Sequence, residues 1–473
     1  MTDKTNSKTM WTFVIVSVAV FMATLDNLVV TTALPVIRKD LHASIESLEW
    51  TVNAYTLTFA VLLLTGAALG DRFGRRRMLA VGLIIFTGAS AAAALAPTAG
   101  ALIAARAVQG AGGAIIMPLT LTILSAAVPA QKRGAYIGAW SGIAGLAVAF
   151  GPLVGGAVVS GISWHWIFWL NVPFGIVLIP LVLTRLEETH GPSKHLDLPG
   201  VALASTGLLG IVWGLVRGHG QGWTSPEIVT ALVAGSIVLA AFVLWELRAK
   251  EPMLPMRFFR NRVFAFANLA SLLMFFGMFG SIFLLSQFFQ TVQGYSPIGS
   301  GLRILPWTLM PMFVAPVAGA LSDRIGGARI MGVGLVLQAA GLATIAAIST
   351  PTIPYWQLVA PFIVSGIGMA MFWAPVANVV LGAVRPEEEG QASGAQNAIR
   401  ELGGVFGVAV LASVWSHYGS YSTGPSFVDG MVPALWIGAI VVLGGAVAAF
   451  LIPRRVRREA VAQPTDAALA EAA

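Results

Sequence analysis

Cysteine is missing from the 473-residue chain, which rules out a disulfide framework and leaves the redox compartment unreadable. Charge is scarce as well: Asp, Glu, Lys and Arg make up 10% of the residues against 57% hydrophobic ones, and mean hydropathy is +0.81. A soluble domain carries about 25% charged residues. Too little charge is present to cover a water-exposed surface, so the surrounding solvent must be largely lipid. Cytosolic enzymes, secreted disulfide scaffolds and disordered chains are thereby excluded. No Gly-Lys pair occurs anywhere, so no Walker-type phosphate loop is available. The six His are scattered without an i, i+4 pair, and no nucleophile–base constellation is visible. A polytopic membrane enzyme, which needs clustered acids or a metal at one interface, is disfavoured on these grounds. Neither a metal nor a resident cofactor is expected.

What the chain has instead is apolar sequence in long runs. A spanning helix needs roughly 20 mostly apolar residues, and helices are the default because lipid offers backbone groups no partner. Fourteen such runs lie near 10–34, 50–69, 78–97, 99–127, 134–160, 166–184, 198–216, 226–246, 263–289, 300–321, 330–349, 355–383, 393–415 and 431–452. The first is too long for a signal-peptide core and lacks a small-residue cleavage pattern, so it reads as a retained span.

The positive charges orient these spans. With the N-terminus placed in the cytoplasm, 22 of the 28 Lys and Arg fall on the inner side. Only Arg38, Lys39, Arg217 and Arg303 fall at outer positions, while Arg106 and Arg400 lie within spans. Positive residues favour the cytoplasmic face, so both termini are expected there. The net charge of +7 is therefore read as topology and not as a nucleic-acid footprint. The same test checks the number of spans, since losing one would invert every later loop.

Two of the inner loops rhyme. Leu69-Gly70-Asp71-Arg72-Phe73-Gly74-Arg75 follows the second span, and Leu321-Ser322-Asp323-Arg324-Ile325-Gly326 follows the tenth. Each is a tight turn in which glycine permits a sharp reversal and the Asp can accept from Arg or a neighbouring helix end. Repetition at matching places organises the chain as a cytoplasmic N-terminus (1–9), a six-helix bundle (10–184) and a linker with two extra spans (185–262). A second six-helix bundle (263–452) and a cytoplasmic tail (453–473) complete it. Duplicated six-helix bundles are the architecture of a large class of secondary transporters.

On these residues the chain resembles the major facilitator superfamily, and within it the fourteen-helix drug:proton antiporter branch of multidrug exporters. Leu25-Asp26-Asn27 through Pro35 is similar to the branch's first-span motif, and Arg106 through Gly113 to the span-4 Arg motif. The Asp71 loop resembles the superfamily's loop 2–3 signature, with Ala67 where a leading Gly is usual. Gly151-Pro152-Leu153-Val154-Gly155-Gly156 resembles the span-5 motif associated with exporters, and Trp164 through Gly175 the start of span 6, with His165 where Arg is common. The resemblance implies an all-α fold, two six-helix bundles plus two extra helices, working in the cytoplasmic membrane of a bacterium. It further implies a monomer exporting small amphipathic compounds, cationic ones foremost, in exchange for protons. A dedicated exporter of one metabolite and a proton-coupled uptake carrier are the alternatives.

Within the spans the charged candidates are Asp26, Arg106, Arg400 and Glu401. Asp26 lies about 12 Å and Arg106 about 10 Å from the outer ends of their spans, at nearly one level. The resemblance implies that spans 1 and 4 line one cavity, which makes Asp26 a candidate proton-coupling carboxylate and Arg106 its modulator; a fixed structural ion pair is the bland alternative. Glu401 stands where the family commonly has Gln. It reads as a second proton site or a counter-charge for cations, or else as an ordinary ion-pair partner, while Arg400 beside it can snorkel. Asp71, Arg72, Gly74, Arg75, Asp323 and Arg324 are candidate gate residues. Gly151, Pro152, Gly155 and Gly156 offer close helix approach and a bend. Asn53, Tyr55, Trp140, Phe275, Met278, Gln287, Trp373 and Asn378 are candidate cavity residues, since Met and aromatic surfaces repack around varied apolar ligands.

Overall fold

Hydroxyl side chains start many of the helices. Ser44, Thr98, Ser225, Ser296 and Thr423 each accept the backbone N–H three residues on, satisfying a donor the helix leaves free. The computed structural model describes residues 2–129, 133–190, 197–385 and 388–453, and every regular element among them is helical. Lys132, Lys194 and the tail from Arg454 onward lie outside the described residues, as does the side chain of Asp323.

In chain order the helices are α1 (Thr2–Asp40), α2 (Ile45–Phe73), α3 (Arg75–Ala94), α4 (Ala99–Ala127), α5 (Arg133–Gly161), α6 (Trp166–Trp169), α7 (Asn171–Arg185) and α8 (Leu198–Gln221). They continue with α9 (Pro226–Glu246), α10 (Arg262–Gln287), α11 (Pro297–Thr308), α12 (Met310–Ile325), α13 (Gly327–Ile348), α14 (Trp356–Leu381), α15 (Glu389–Tyr418) and α16 (Gly424–Phe450). Among the described residues 13 segments are long and apolar enough to cross a membrane. Helix α5, 29 residues long with an apolar stretch at Phe150–Gly161, supplies the fourteenth.

Two spans depart from a single straight helix. The tenth is split at Leu309 into α11 and α12, where Pro311 has no N–H to continue the ladder. The sixth begins with the short α6 before α7 takes over. Helix α1 also runs on through residues read as a polar N-terminus, giving it a length of about 58 Å.

Packing repeats between the halves. In the first half α1 lies on α5, α2 and α3 on α4, and α3 on α7; in the second α10 lies on α15, α12 and α13 on α14, and α13 on α16. The halves meet through α5 against α11 and α2 against α15, while α8 and α9 pair with each other and α8 leans on α2 and α15. Basic helix ends gather on one face, tied by Lys8–Glu187, Arg76–Glu188 and Arg257–Glu388 ion pairs. Helix α9 stays mostly exposed in its apolar window, which suits a surface wetted by lipid.

Candidate functional site

A cavity of about 1750 Å³ lies between the halves. Asp71 and Arg75 on one side and Arg257 and Arg260 on the other stand at its mouth, so it opens on the basic face. Asn27, Leu28, Tyr55, Met278 and Phe279 line its deep end. Beyond them the far face is shut. Ser286 Oγ donates to the Thr31 carbonyl at 3.0 Å and Gln290 Nε2 to that of Thr32 at 2.9 Å, joining α10 and the turn after it to α1.

The closure continues between α5 and α11. A Cβ on Gly156 would collide with the Pro297 carbonyl, and one on Gly301 with that of Pro152. Each helix thus offers a Pro-x-x-x-Gly face to the other, and only the missing side chains let the backbones touch. Gly151 and Gly155 sit the same way against Leu28 and Val29 of α1. The first of these sequences was singled out from the chain alone; its partner on α11, Pro297 with Gly301, was not, although the identical spacing was there to find.

Beside the deep end four helices converge on Asp26. Arg106 Nη1 of α4 lies 2.5 Å from Asp26 Oδ2, and both side chains are fully buried. Gln109 Nε2 and Asn171 Nδ2 donate to Asp26 Oδ1 at 2.9 and 2.6 Å, and both amides also reach Ser90 Oγ on α3. Arg106 further donates to Gln109 Oε1 and to the Thr51 carbonyl. Charges removed from water need such partners, since an incompletely partnered buried pair is unfavourable; both carboxylate oxygens of Asp26 have theirs, while Arg106 Nη2 is buried without one. Asp26 itself is not on the cavity wall. Tyr55 is, and its ring lies 4.2 Å from the Arg106 guanidinium carbon, forming the partition between pair and cavity. Gln109 was readable as the i+3 neighbour of Arg106 on one helix face, and Asn171 lies inside a quoted motif. Ser90, a small hydroxyl in an apolar run, gave no signal.

Glu401 sits on the cavity wall, 5% exposed. Its Oε1 accepts from Arg400 at 2.9 Å, and its Oε2 is buried without a partner. Arg400 does not reach for the basic face; its guanidinium carbon lies 5.2 Å from the Phe275 ring, which stacks in turn on Trp373. Tyr55, Trp140, Phe275, Met278 and Trp373 all line the cavity. Thr24, Asn27, Trp140 and Trp373 hold unpartnered polar atoms there. Three candidates are placed elsewhere: Asn53 is fully buried off the wall, Gln287 is buried where Tyr421 donates to it, and Asn378 is exposed outside the lining. Thr24 and Asn27 were not weighed from sequence as cavity residues, though helical spacing puts both on one side of α1, turned away from Asp26.

At the mouth Asp71 accepts from Arg75 Nη2 at 2.9 Å across a turn, and the Arg72 guanidinium lies over Phe73. The two rhyming loops form one conformation: Gly74 has φ 102° and ψ 126°, Gly326 φ 94° and ψ 130°, and each donates to the carbonyl four residues back. Such angles are open to glycine and strained for other residues. Glu188 sits against Gly74 and accepts from the Arg76 N–H at 2.9 Å, capping α3. Among the described residues Gly326 has no such neighbour.

A family model described as "Major Facilitator Superfamily" matches residues 16–408 and 308–471. The tetracenomycin C resistance and export protein of Streptomyces glaucescens is 35% identical over 407 residues, covering 85% of this chain and 74% of that one. The methylenomycin A resistance protein of Streptomyces coelicolor is 34% identical over 445 residues, covering 94% and 92%. Among solved structures, an auto-inhibited POT family peptide transporter superposes with a TM-score of 0.69 at 16% identity, over 97% of this chain and 99% of that one.

Proposed function

The chain belongs to the major facilitator superfamily, a family of multi-pass membrane transporters and not enzymes, and on that premise we propose that it is a proton-driven exporter of amphipathic, cationic compounds. The basic face is then cytoplasmic, and the structure is its inward-open state. Both relatives are named for resistance to an antibiotic, one also for its export, which favours outward drug movement over uptake. The observation that carries the reading is the buried Asp26–Arg106 pair, placed one ring away from a cavity that holds the half-paired Glu401. Aromatic and Met side chains give that cavity an adaptable apolar wall. Glu401 supplies the negative charge a cation would seek, and Asp26 the carboxylate that exchanges the coupling proton. Asp71 and Arg75 are released from the opposite half at the mouth and would meet it when the inside closes.

In proteoliposomes an imposed pH gradient, acid outside the inner-face compartment, should drive accumulation of cationic dyes without ATP. Dye movement indifferent to the gradient would end the proposal. A second reading, an exporter of a single antibiotic, follows from the relatives' one-compound names; transport of one dye class alone from a broad panel would favour it.

A further inference from the structure

One acid in the spans takes no part in the network just described. Glu49 lies about 6 Å inside the outer end of α2, 2% exposed, with Oε2 buried and unpartnered. One turn on, on the same face, Asn53 is fully buried with both its polar atoms unpartnered. Neither lines the cavity. They belong to the end of the molecule that is sealed in this structure, where α2 of one half packs against α15 of the other.

Tyr421, on the segment between α15 and α16, joins the halves there. Its ring carries the Arg38 guanidinium at 3.6 Å, and its hydroxyl donates to Gln287. Burial raises the pKa of this phenol, Arg38 lowers it and Glu49 raises it, so the acid and the base both act on one ring. The ionisable groups on the elements around this end of α2 are otherwise engaged. Glu46 on the same helix pairs with Arg217 of α8, Arg106 of α4 holds Asp26, and His417 of α15 meets the Tyr418 ring edge-on. Among the described residues no ion pair or hydrogen bond reaches the Glu49 carboxyl, and Arg38 lies over the Tyr421 ring with its own Nε unpartnered.

A carboxylate shut into protein without a cation or donor is strongly disfavoured, and protonation is the less costly outcome. Glu49 and Arg38 move with the first half, Tyr421 and Gln287 with the second. Opening the seal would bring water to Glu49 and remove that constraint. We propose that Glu49 is a proton-operated latch of the outer seal: the seal closes over the neutral acid and opens on its ionised form. One proton is taken from the outer solution at each closure and returned there at each opening, so outer acidity favours the inward-open state. The inference rests on the alternating-access reading above, but on neither its substrate class nor the role given to Asp26.

Because the chain has no cysteine, Lys39→Cys and Ser422→Cys introduce the sole attachment points for spin labels across the outer seal. The distance distribution, recorded without substrate in nanodiscs from pH 5 to 9, reports the closed-to-open ratio. One linked proton changes that ratio by up to about tenfold per pH unit. Glu49→Gln should lose that slope and stay closed where the parent opens, whereas Glu49→Asp, which keeps the acid, should retain it. An unchanged slope in Glu49→Gln overturns the latch alone. A seal that stays shut at every pH in the parent overturns the alternating-access reading and the latch together.

Discussion

Arg106 reaches Asp26 from α4 to α1 at 2.5 Å, and neither side chain touches solvent. Gln109 and Asn171 donate to the other carboxylate oxygen, and Ser90 accepts from both of those amides. Such a pair is stable only as a unit, because each partner alone is a buried charge without compensation.

Arg106→Ala should therefore destabilise the protein by about 3–5 kcal/mol, the usual result of breaking a buried pair from one side. Thermal unfolding in detergent measures the loss. Arg106→Lys should recover part of it, since an ammonium cannot reproduce the guanidinium's several directed contacts. A Tm unchanged in Arg106→Ala would mean that the pair is solvated in the working protein.

Glu401→Gln removes the negative charge at the cavity wall while keeping the shape of the side chain. Export of cationic dyes should fall tenfold or so, on the order of one lost charge-assisted contact, while neutral substrates are spared. Parallel rate measurements with a cationic and a neutral compound separate the outcomes; equal loss for both would assign Glu401 a different part.

Gly156→Leu places a branched side chain where the Pro297 carbonyl now sits. The outer ends of α5 and α11 should part, lengthening spin-label distances across the outer face and slowing transport. Gly301→Leu, meeting Pro152 in the reciprocal position, should do the same. Unaltered distances in both variants would show that this contact does not seal the outer side.

The span pattern was legible because lipid enforces it: apolar run length and the sidedness of Lys and Arg are both read directly by a bilayer. Depth along a helix was legible too, which is why Asp26 and Arg106 could be matched before any coordinates. Rotation about the helix was not. Asn53 and Tyr55, two residues apart on α2, fall respectively off and on the cavity wall, a distinction set by which faces α1, α4 and α15 cover. The break at Leu309 falls between Pro306 and Pro311 and was hidden inside a continuous apolar run. Glu49 escaped notice because it lies near a helix end, where a charge is ordinary until packing buries it.

Gly74 and Gly326 share one backbone conformation in different surroundings. Alanine at Gly326 should cost about 1–3 kcal/mol, the strain of a positive φ outside the left-handed helical well for a residue with a Cβ. Alanine at Gly74 should cost more, since its Cβ also meets the Glu188 carboxylate that caps α3. Equal Tm losses would show that Glu188 yields freely.

In the proposed cycle Asp26 carries the proton whose movement drives export. The most direct measurement is substrate-induced proton exchange in proteoliposomes loaded with a pH indicator, comparing the parent with Asp26→Asn. Substrate should trigger proton movement in the parent and none in Asp26→Asn, which still binds substrate but cannot couple it to the gradient. Proton movement of parental size in Asp26→Asn, together with full gradient-driven export, would contradict that role for Asp26.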